Sequence, residues 1–197
     1  MMLSSPERLL VIIGPSGAGK STAVRRLDAA GLIVLIPTWT TRPPRRGEVA
    51  ACVEHRFVGA PEFERLERCG AFLGTVQLFG LPYRYGLPAI RRPSAGRVAT
   101  VMLRAALVRR LRALGADPIV YQVEDEQARV AARLRRRDDE GAELGSRLAD
   151  FEAEVALGRS LAHRVFVNSD DPATLTAALA RAIRLDLAPQ RIPVLSA

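Results

Sequence analysis

The amino-acid sequence predicts an α/β protein with a parallel sheet that helices cover on both faces. Short continuous apolar runs, such as residues 9–13, have the length and composition of buried parallel strands. Stretches with helical spacing of apolar residues alternate with these runs, as the crossover connections of a parallel sheet require. A length of 197 residues fits one domain. We therefore expect a single domain over residues 1–197.

The first elements form a strand–helix–strand unit. The apolar run at 9–13 ends in glycine, and the spacing that follows predicts a helix over 21–30, which stops before Gly31. A second apolar run predicts a strand over 32–36. The next segment, PTWTTRPPRRGE, is rich in proline and arginine. We expect it to form neither a helix nor a central strand, because proline lacks the N–H that both require.

The alternation of strand and helix patterns is weaker between this segment and residue 92. A short strand is predicted over 56–58, and a helix over 61–69, since Pro61 suits the first position of a helix. The apolar residues of 72–78 predict another strand. The following GLPYRYGLP has the composition of turns.

The second half of the chain returns to regular alternation, with an arginine-rich helix that DDEGAELG interrupts. The predicted elements are a strand at 98–103, a helix at 105–114, a strand at 119–123, helices at 126–137 and 146–161, a strand at 165–167 and a helix at 172–185. Residues 188–197 are expected to form a loose tail.

Composition and charge restrict the class of function. The net charge of +8 would suit either a nucleic acid or a polyphosphate substrate. Aromatic residues make up 5% and do not alternate with arginine, so we expect no nucleic-acid partner. The apolar runs are too short to cross a bilayer and no signal peptide is recognised, which predicts a cytoplasmic protein without a membrane partner. Cys52, Cys69, His55 and His163 lack metal-ligand spacing.

A glycine-rich segment, GPSGAGKST at residues 14–22, matches G-x-x-x-x-G-K-[ST] between a predicted strand and a predicted helix. Glycines let the backbone wrap around a phosphate chain, so that successive N–H groups and the positive end of the helix dipole face it. The lysine would bridge two phosphates, and the serine hydroxyl would coordinate Mg²⁺. The predicted nucleoside triphosphate site consists of Gly14, Pro15, Ser16, Gly17, Ala18, Gly19, Lys20, Ser21 (the metal ligand) and Thr22.

Lys20 is the only lysine of the chain, against 28 arginines. Because all the other cationic side chains of this kind are arginines, the single lysine indicates a specific need for an ammonium group here. A compact point charge on a flexible stem fits a tight nest of amides, whereas a planar guanidinium has a different shape. The alternative is an accidental GKS in a turn, and the single lysine argues against it.

A second motif, TTRPPRRGE at residues 40–48, places Arg42 and Arg45 around a proline pair. Because two prolines restrict the loop, both guanidinium groups can be held for bidentate contact with an oxyanion. A solvated basic loop without a ligand is the alternative.

The order of these motifs resembles that of the guanylate kinases. GPSGAGKST is followed by TTRPPRRGE and HRFV, then by Tyr85-Gly86 and an arginine-bearing lid, so the resemblance spans residues 9–185. It implies a P-loop kinase-type fold with an acceptor-binding region at 37–92 and a lid at 136–147. It also implies Mg²⁺ and ATP as cofactors and a small-molecule phosphate acceptor, a nucleoside monophosphate with GMP as first candidate.

The resemblance implies roles for residues on the acceptor side. Arg42 and Arg45 would bind the acceptor phosphate with Tyr85, and Thr38 would lie near the base.

The resemblance also identifies the arginines of the lid. Arg133, Arg137 and Arg147 resemble those that close over the ATP phosphates. From residue pattern alone, RLRRR could equally be a solvated helix face. The implied catalytic residues are Lys20, Arg42, Arg133, Arg137 and Arg147.

The acceptor side departs from the guanylate kinase pattern at several positions. Guanine presents N–H donors, for which the family supplies carboxylate acceptors. The corresponding positions hold Gly74, Met102 and Arg104, and His55 stands where the family has a tyrosine. These residues do not explain recognition of guanine.

A second resemblance accounts for these departures. The ribose 1,5-bisphosphate phosphokinases share the scaffold without the guanine carboxylates, and they are similar to this sequence in the Glu54-His55 pair, in GL…YG-L-P and in Arg104. An arginine at that place suits a second phosphate better than guanine. TTRPPRRGE is closer to the guanylate kinases, so a phosphorylated sugar is the alternative acceptor.

A third alternative is a non-catalytic guanylate-kinase-like module that binds acidic peptides through the +8 surface. The intact GKS and the lid arginines argue against it, because a binding module has no need for a lysine placed to meet ATP.

Overall fold

The computed structural model describes residues 9–44, 54–77, 82–90, 96–136, 144–145, 148–169 and 171–187. The elements are, in chain order, β1 (Leu9–Ile13), α1 (Lys20–Ala29), β2 (Ile33–Leu35), β3 (Thr38–Thr40), β4 (His55–Phe57), α2 (Ala60–Arg68), β5 (Phe72–Gln77), β6 (Arg84–Pro88), β7 (Val98–Met102), α3 (Ala105–Ala113), β8 (Ile119–Glu124), α4 (Gln127–Arg135), α5 (Phe151–Leu161), β9 (Arg164–Val167) and α6 (Pro172–Leu187).

The core is a five-stranded sheet in the order β2-β7-β1-β8-β9, with every neighbouring pair parallel. All residues of β1 are buried, because helices cover both faces. Leu10 and Ile12 belong to the apolar cluster under α1 and α6, whereas Val11 and Ile13 belong to the cluster under α3. Burying each of these side chains contributes about 1.5–3 kcal/mol. The predicted α/β class is confirmed, with each core strand within one residue of its predicted bounds.

A second sheet of four strands, in the order β4-β3-β6-β5, lies within residues 37–92, the region predicted to bind the acceptor. β3 is an interior strand of this sheet, parallel to β4 and antiparallel to β6. The expectation that residues 37–48 hold no central strand is therefore wrong for β3. The physical reason is that the prolines lie outside the three-residue strand, whose Thr-Trp-Thr composition is β-branched and aromatic.

The assignment of GLPYRYGLP to turns is also wrong over β6. This strand pairs antiparallel with β5, for example through Thr75 opposite Gly86. An ideal Cβ on Gly86 would lie 2.8 Å from the Phe72 ring, so the two strands approach closely there. Pairing with two neighbours outweighs the local turn composition.

The described helix bounds lie within two residues of the predicted ones, and the helix predicted over 146–161 is helical at 148–149 and, as α5, over Phe151–Leu161, with a turn at residue 150. Arg45, Arg137 and Arg147 lie outside the described residues, as do most of the predicted lid and the predicted tail at 188–197. Within the described ranges, no helix has the length and apolarity needed to cross a bilayer.

Candidate functional site

The glycine-rich loop connects the carboxyl end of β1 to α1 and packs tightly on its neighbours. Gly14 has φ 131°, and an ideal Cβ there would lie 1.9 Å from the Val123 carbonyl oxygen of β8. Gly19 has φ 96°, and an ideal Cβ there would lie 2.4 Å from Asn168 Nδ2. Gly14 therefore requires glycine for space as well as for backbone conformation, whereas at Gly19 the requirement is chiefly conformational, because the neighbouring atom ends a side chain.

Lys20 closes the loop on itself at the first turn of α1. Its ammonium nitrogen donates to the carbonyl oxygens of Gly14 and Pro15, each at 2.7 Å. The side chain therefore runs back along the loop, and its charge lies at the positive end of the helix dipole, where an anion is stabilised. Ser21 and Thr22 follow in the same turn and are partly exposed.

Of the three arginines predicted to belong to a lid, Arg133 lies within the described residues, and it contacts this loop. From α4, its Nε donates to the Gly17 carbonyl oxygen at 2.9 Å, and its Nη2 donates to Asp125 Oδ2. The loop and the arginine-rich helix are thus joined by a guanidinium bridge.

Two acidic residues at the carboxyl end of β8 support this region, and the sequence analysis missed both. Asp125 has a fully buried carboxylate that also accepts from Arg129 Nε at 2.7 Å. Burial raises its pKa, but the hydrogen bonds from Arg133 and Arg129 outweigh this, so the pKa lies below its usual range. Arg159 donates to both oxygens of the buried Glu124, at 2.6 and 3.0 Å, and this is the main reason that the pKa of Glu124 is lowered.

Asn168, the only asparagine in the sequence, is a further residue that the sequence analysis missed. It follows β9, and its buried Nδ2 donates to the Ala18 carbonyl oxygen at 3.1 Å. The position of Asn168 just after a predicted strand was the one signal in the sequence, because the carboxyl ends of parallel strands lie at the same edge of a sheet.

We expect an Asn168→Ala variant to lower the free energy of unfolding by about 1–3 kcal/mol, because the buried Ala18 carbonyl loses its donor. Urea unfolding followed by circular dichroism measures this, with Thr176→Ala on the exposed face of α6 as control. Equal unfolding midpoints for the two variants would contradict a supporting role for Asn168.

A surface cavity of about 350 Å³ opens beside the loop. Its walls combine polar side chains and backbone with apolar groups. The lining residues are Gly19, Thr22, Arg133, Arg136, Asn168, Pro172 and Leu175.

The small sheet brings together three of the residues predicted on the acceptor side. Thr38 Oγ1 lies 2.8 Å from His55 Nδ1, and the two residues are opposite each other in the β3–β4 pair. The Tyr85 ring centroid lies 5.9 Å from that of His55. Thr38, His55 and Tyr85 therefore form one polar cluster, which we name the acceptor cluster.

Arg42 lies just beyond β3 and is 5% exposed. Its backbone N–H donates to Thr40 Oγ1 at 3.1 Å, its Nη1 donates to the Pro43 carbonyl oxygen at 2.9 Å, and its Cζ lies 5.2 Å from the Phe57 ring centroid. These contacts fix the orientation of a buried cation near the acceptor cluster, as bidentate anion binding requires.

Arg104 is placed differently, between β7 and α3. Its Nε lies 3.3 Å from Glu154 Oε2, and the other oxygen of that buried carboxylate accepts from the Ala105 N–H at 2.9 Å. The sequence analysis did not predict this acidic partner. Met102 ends β7, and an ideal Cβ on Gly74 would lie 3.3 Å from Arg110 Cγ.

An ion pair links α1 to the small sheet. Arg25 on α1 places its Nε 2.8 Å from Glu54 Oε1, although the angle between the two groups does not meet the geometry of a hydrogen bond. Glu54 is buried and directly precedes β4. The helix that carries Lys20 is therefore connected to the strand that carries His55.

The parallel sheet, with a glycine-rich loop at the carboxyl end of its middle strand, places the protein in the class of P-loop kinase-type α/β folds. The chain belongs to the guanylate kinase family, whose sequence model matches residues 6–185. This confirms the resemblance and the prediction of a guanylate-kinase-like phosphotransferase.

Three similar proteins illustrate the relationship. A guanylate kinase of Thermosynechococcus vestitus is 34% identical over 159 residues, or 77% of this chain and 81% of the relative. A ribose 1,5-bisphosphate phosphokinase of Acidiphilium cryptum is 37% identical over 155 residues, or 75% of this chain and 79% of the relative. A crystal structure of guanylate kinase from Anaplasma phagocytophilum covers 96% of this chain and 91% of its own, with 21% identity and a TM-score of 0.65, and shares the fold.

Proposed function

We propose that this protein transfers the γ-phosphoryl group of Mg·ATP to the phosphate of a small acceptor, with GMP as first candidate. The observation that carries this proposal is that two cations donate hydrogen bonds to carbonyl oxygens of the glycine-rich loop. Lys20 donates to Gly14 and Pro15, and Arg133 donates to Gly17. Two cations fixed at a helix N-terminus suit a polyphosphate. The cavity beside Gly19 and Thr22 would accommodate the adenosine of the donor.

Mg²⁺ would arrive with ATP as part of the substrate complex. The hydroxyl of Ser21, partly exposed in the first turn of α1, suits a site that phosphate oxygens and water complete. Glu124 and Asp125 do not fit as ligands, because arginines occupy their carboxylate oxygens.

Charge neutralisation and alignment are what phosphoryl transfer demands of the protein. Lys20 and Arg133 would hold the donor phosphates, and Arg42 would hold the acceptor phosphate, with Arg45, Arg137 and Arg147 as further proposed contacts. An acceptor phosphate is already anionic, so no general base is required. The non-catalytic alternative gives no reason for this set of cations.

GMP is the first candidate because the relatives named guanylate kinase are the more numerous of those compared. Ribose 1,5-bisphosphate is a second candidate, and a specific observation favours it. The positions where the resemblance places guanine-binding carboxylates hold Gly74, Met102 and Arg104, and none of these accepts a hydrogen bond from guanine through a carboxylate.

The test is ADP release from Mg·ATP, coupled to NADH oxidation, with GMP, dGMP, AMP, UMP, CMP and ribose 1,5-bisphosphate as acceptors. We expect GMP to exceed AMP in kcat/KM by at least about 100-fold, since polar recognition of a base discriminates strongly. Turnover with ribose 1,5-bisphosphate alone would replace GMP by the second candidate. No turnover across the panel, with ATP still bound, would support the non-catalytic module.

A further inference from the structure

The carboxylate of Asp125 lies between the arginine-rich helix and the glycine-rich loop, and nothing in the predicted machinery uses it. Its side chain is fully buried, yet it is charged and receives two guanidinium groups, one on each oxygen. A buried charge is costly unless it is paired, and removing its partners or the charge itself is strongly disruptive. Its retention here requires an explanation.

The geometry of Arg133 supplies that explanation. Nε binds the Gly17 carbonyl oxygen, while Nη2 of the same rigid plane binds Asp125 Oδ2. Because both bonds fix one planar group, the guanidinium can take a single orientation against the loop. Arg129 donates to the other oxygen of Asp125, and its Nη2 also lies 3.5 Å from Glu126 Oε1.

We infer that Asp125 is a positioning residue, which holds Arg133 across the glycine-rich loop so that an incoming triphosphate meets an already ordered cation. Preordering means that the arginine loses little further freedom when the phosphates bind. Without the carboxylate, Arg129 and Arg133 would face each other as like charges and move apart. This inference rests on the proposed phosphoryl transfer and adds a residue to its donor side.

The variant that tests this is Asp125→Asn, which keeps the shape but turns an NH₂ or a neutral oxygen toward a guanidinium. We expect Mg·ATP affinity to fall by about tenfold. We expect kcat to fall by about 100-fold, since a misplaced group costs that much even without direct contact. Removing one positive charge from the exposed side of α4, in Arg135→Met, should change neither value by more than about twofold.

A double-mutant cycle with Arg133→Met distinguishes positioning from a structural role. If Asp125 acts through Arg133, then Asp125→Asn in the Arg133→Met background should change ATP affinity by less than about twofold. Arg133→Lys, which keeps the charge but cannot make the two-nitrogen bridge, should reproduce the losses of Asp125→Asn and stands in for it if that variant does not fold. Additive losses, or a gain of ATP affinity in Asp125→Asn, would overturn the inference.

The binding measurement separates this inference from the proposed function. A wild-type protein that binds ATP but phosphorylates no acceptor would refute the proposed function, while the cycle on ATP affinity would still decide the role of Asp125. A wild-type protein that turns over its acceptor, with an additive cycle, would refute the inference alone.

Discussion

A Lys20→Met variant should lose phosphoryl transfer by about 10³-fold or more, because it removes the cation that we propose neutralises charge on the transferred group. The ammonium is already in place, 2.7 Å from each of two loop carbonyl oxygens. Methionine is close in length and lacks both charge and donors. The measurement is kcat and KM for Mg·ATP with the acceptor that the panel identifies.

Lys20→Arg should fail almost as completely, and this is the sharper half of the prediction. An arginine carries the charge, but its planar fork cannot occupy the point between the Gly14 and Pro15 carbonyl oxygens that one tetrahedral nitrogen fills. Arg26→Met, which removes an exposed charge from the same helix, should keep normal activity. Circular dichroism confirms that the variants are folded. Activity in Lys20→Arg within about tenfold of the wild type would contradict the requirement for an ammonium group.

The parts of the molecule that were predictable from sequence are those whose cause is local. β1 was predictable because its burial on both faces produces a continuous apolar run, and burial is the only condition that such a strand must meet. The glycine-rich loop was predictable because its chemistry occupies consecutive residues. Within these nine positions, spacing alone predicts which backbone groups and side chains would meet a phosphate.

The parts that were missed depend on partners far along the chain. β3 and β6 form because Trp39 pairs with Gly86, and no local pattern in either segment contains that pairing. Asn168 reaches Ala18 across 150 residues, and Arg133 reaches Gly17 across 116. The carboxylate of Asp125 is similar: in sequence it is one acidic residue among several, and only the fold gives it two arginines and a place beside the loop.

Arg104 shows a different limit of predicting a site from sequence. From sequence it was a cation placed for a second phosphate, and its partner Glu154 comes from a helix 50 residues later. The pair anchors α5 to the N-terminus of α3, since the same carboxylate accepts the Ala105 N–H. A residue can therefore match a family position in sequence while its charge is already balanced by a contact that the sequence does not display.

A Gly14→Ala variant should lower the free energy of unfolding by about 4 kcal/mol or more, which is exceptional for one methyl group. A φ of 131° is strained for alanine, at a cost of about 1–3 kcal/mol. The added Cβ would lie 1.9 Å from the Val123 carbonyl oxygen. That oxygen belongs to β8, whose pairing with β1 prevents it from moving away.

Gly31→Ala is the matched control, because that glycine also has a positive φ, 70°, but an ideal Cβ meets nothing within 4 Å. We expect it to cost only about 1–2 kcal/mol, the penalty of a left-handed conformation. Denaturant unfolding of both variants, with ATP affinity where the protein folds, separates strain from steric overlap. If the two variants had equal unfolding midpoints, contact with β8 would contribute nothing, and the loop would require glycine for conformation alone. A difference of several kcal/mol would mean that the close approach of loop and strand holds the backbone of the glycine-rich loop in position.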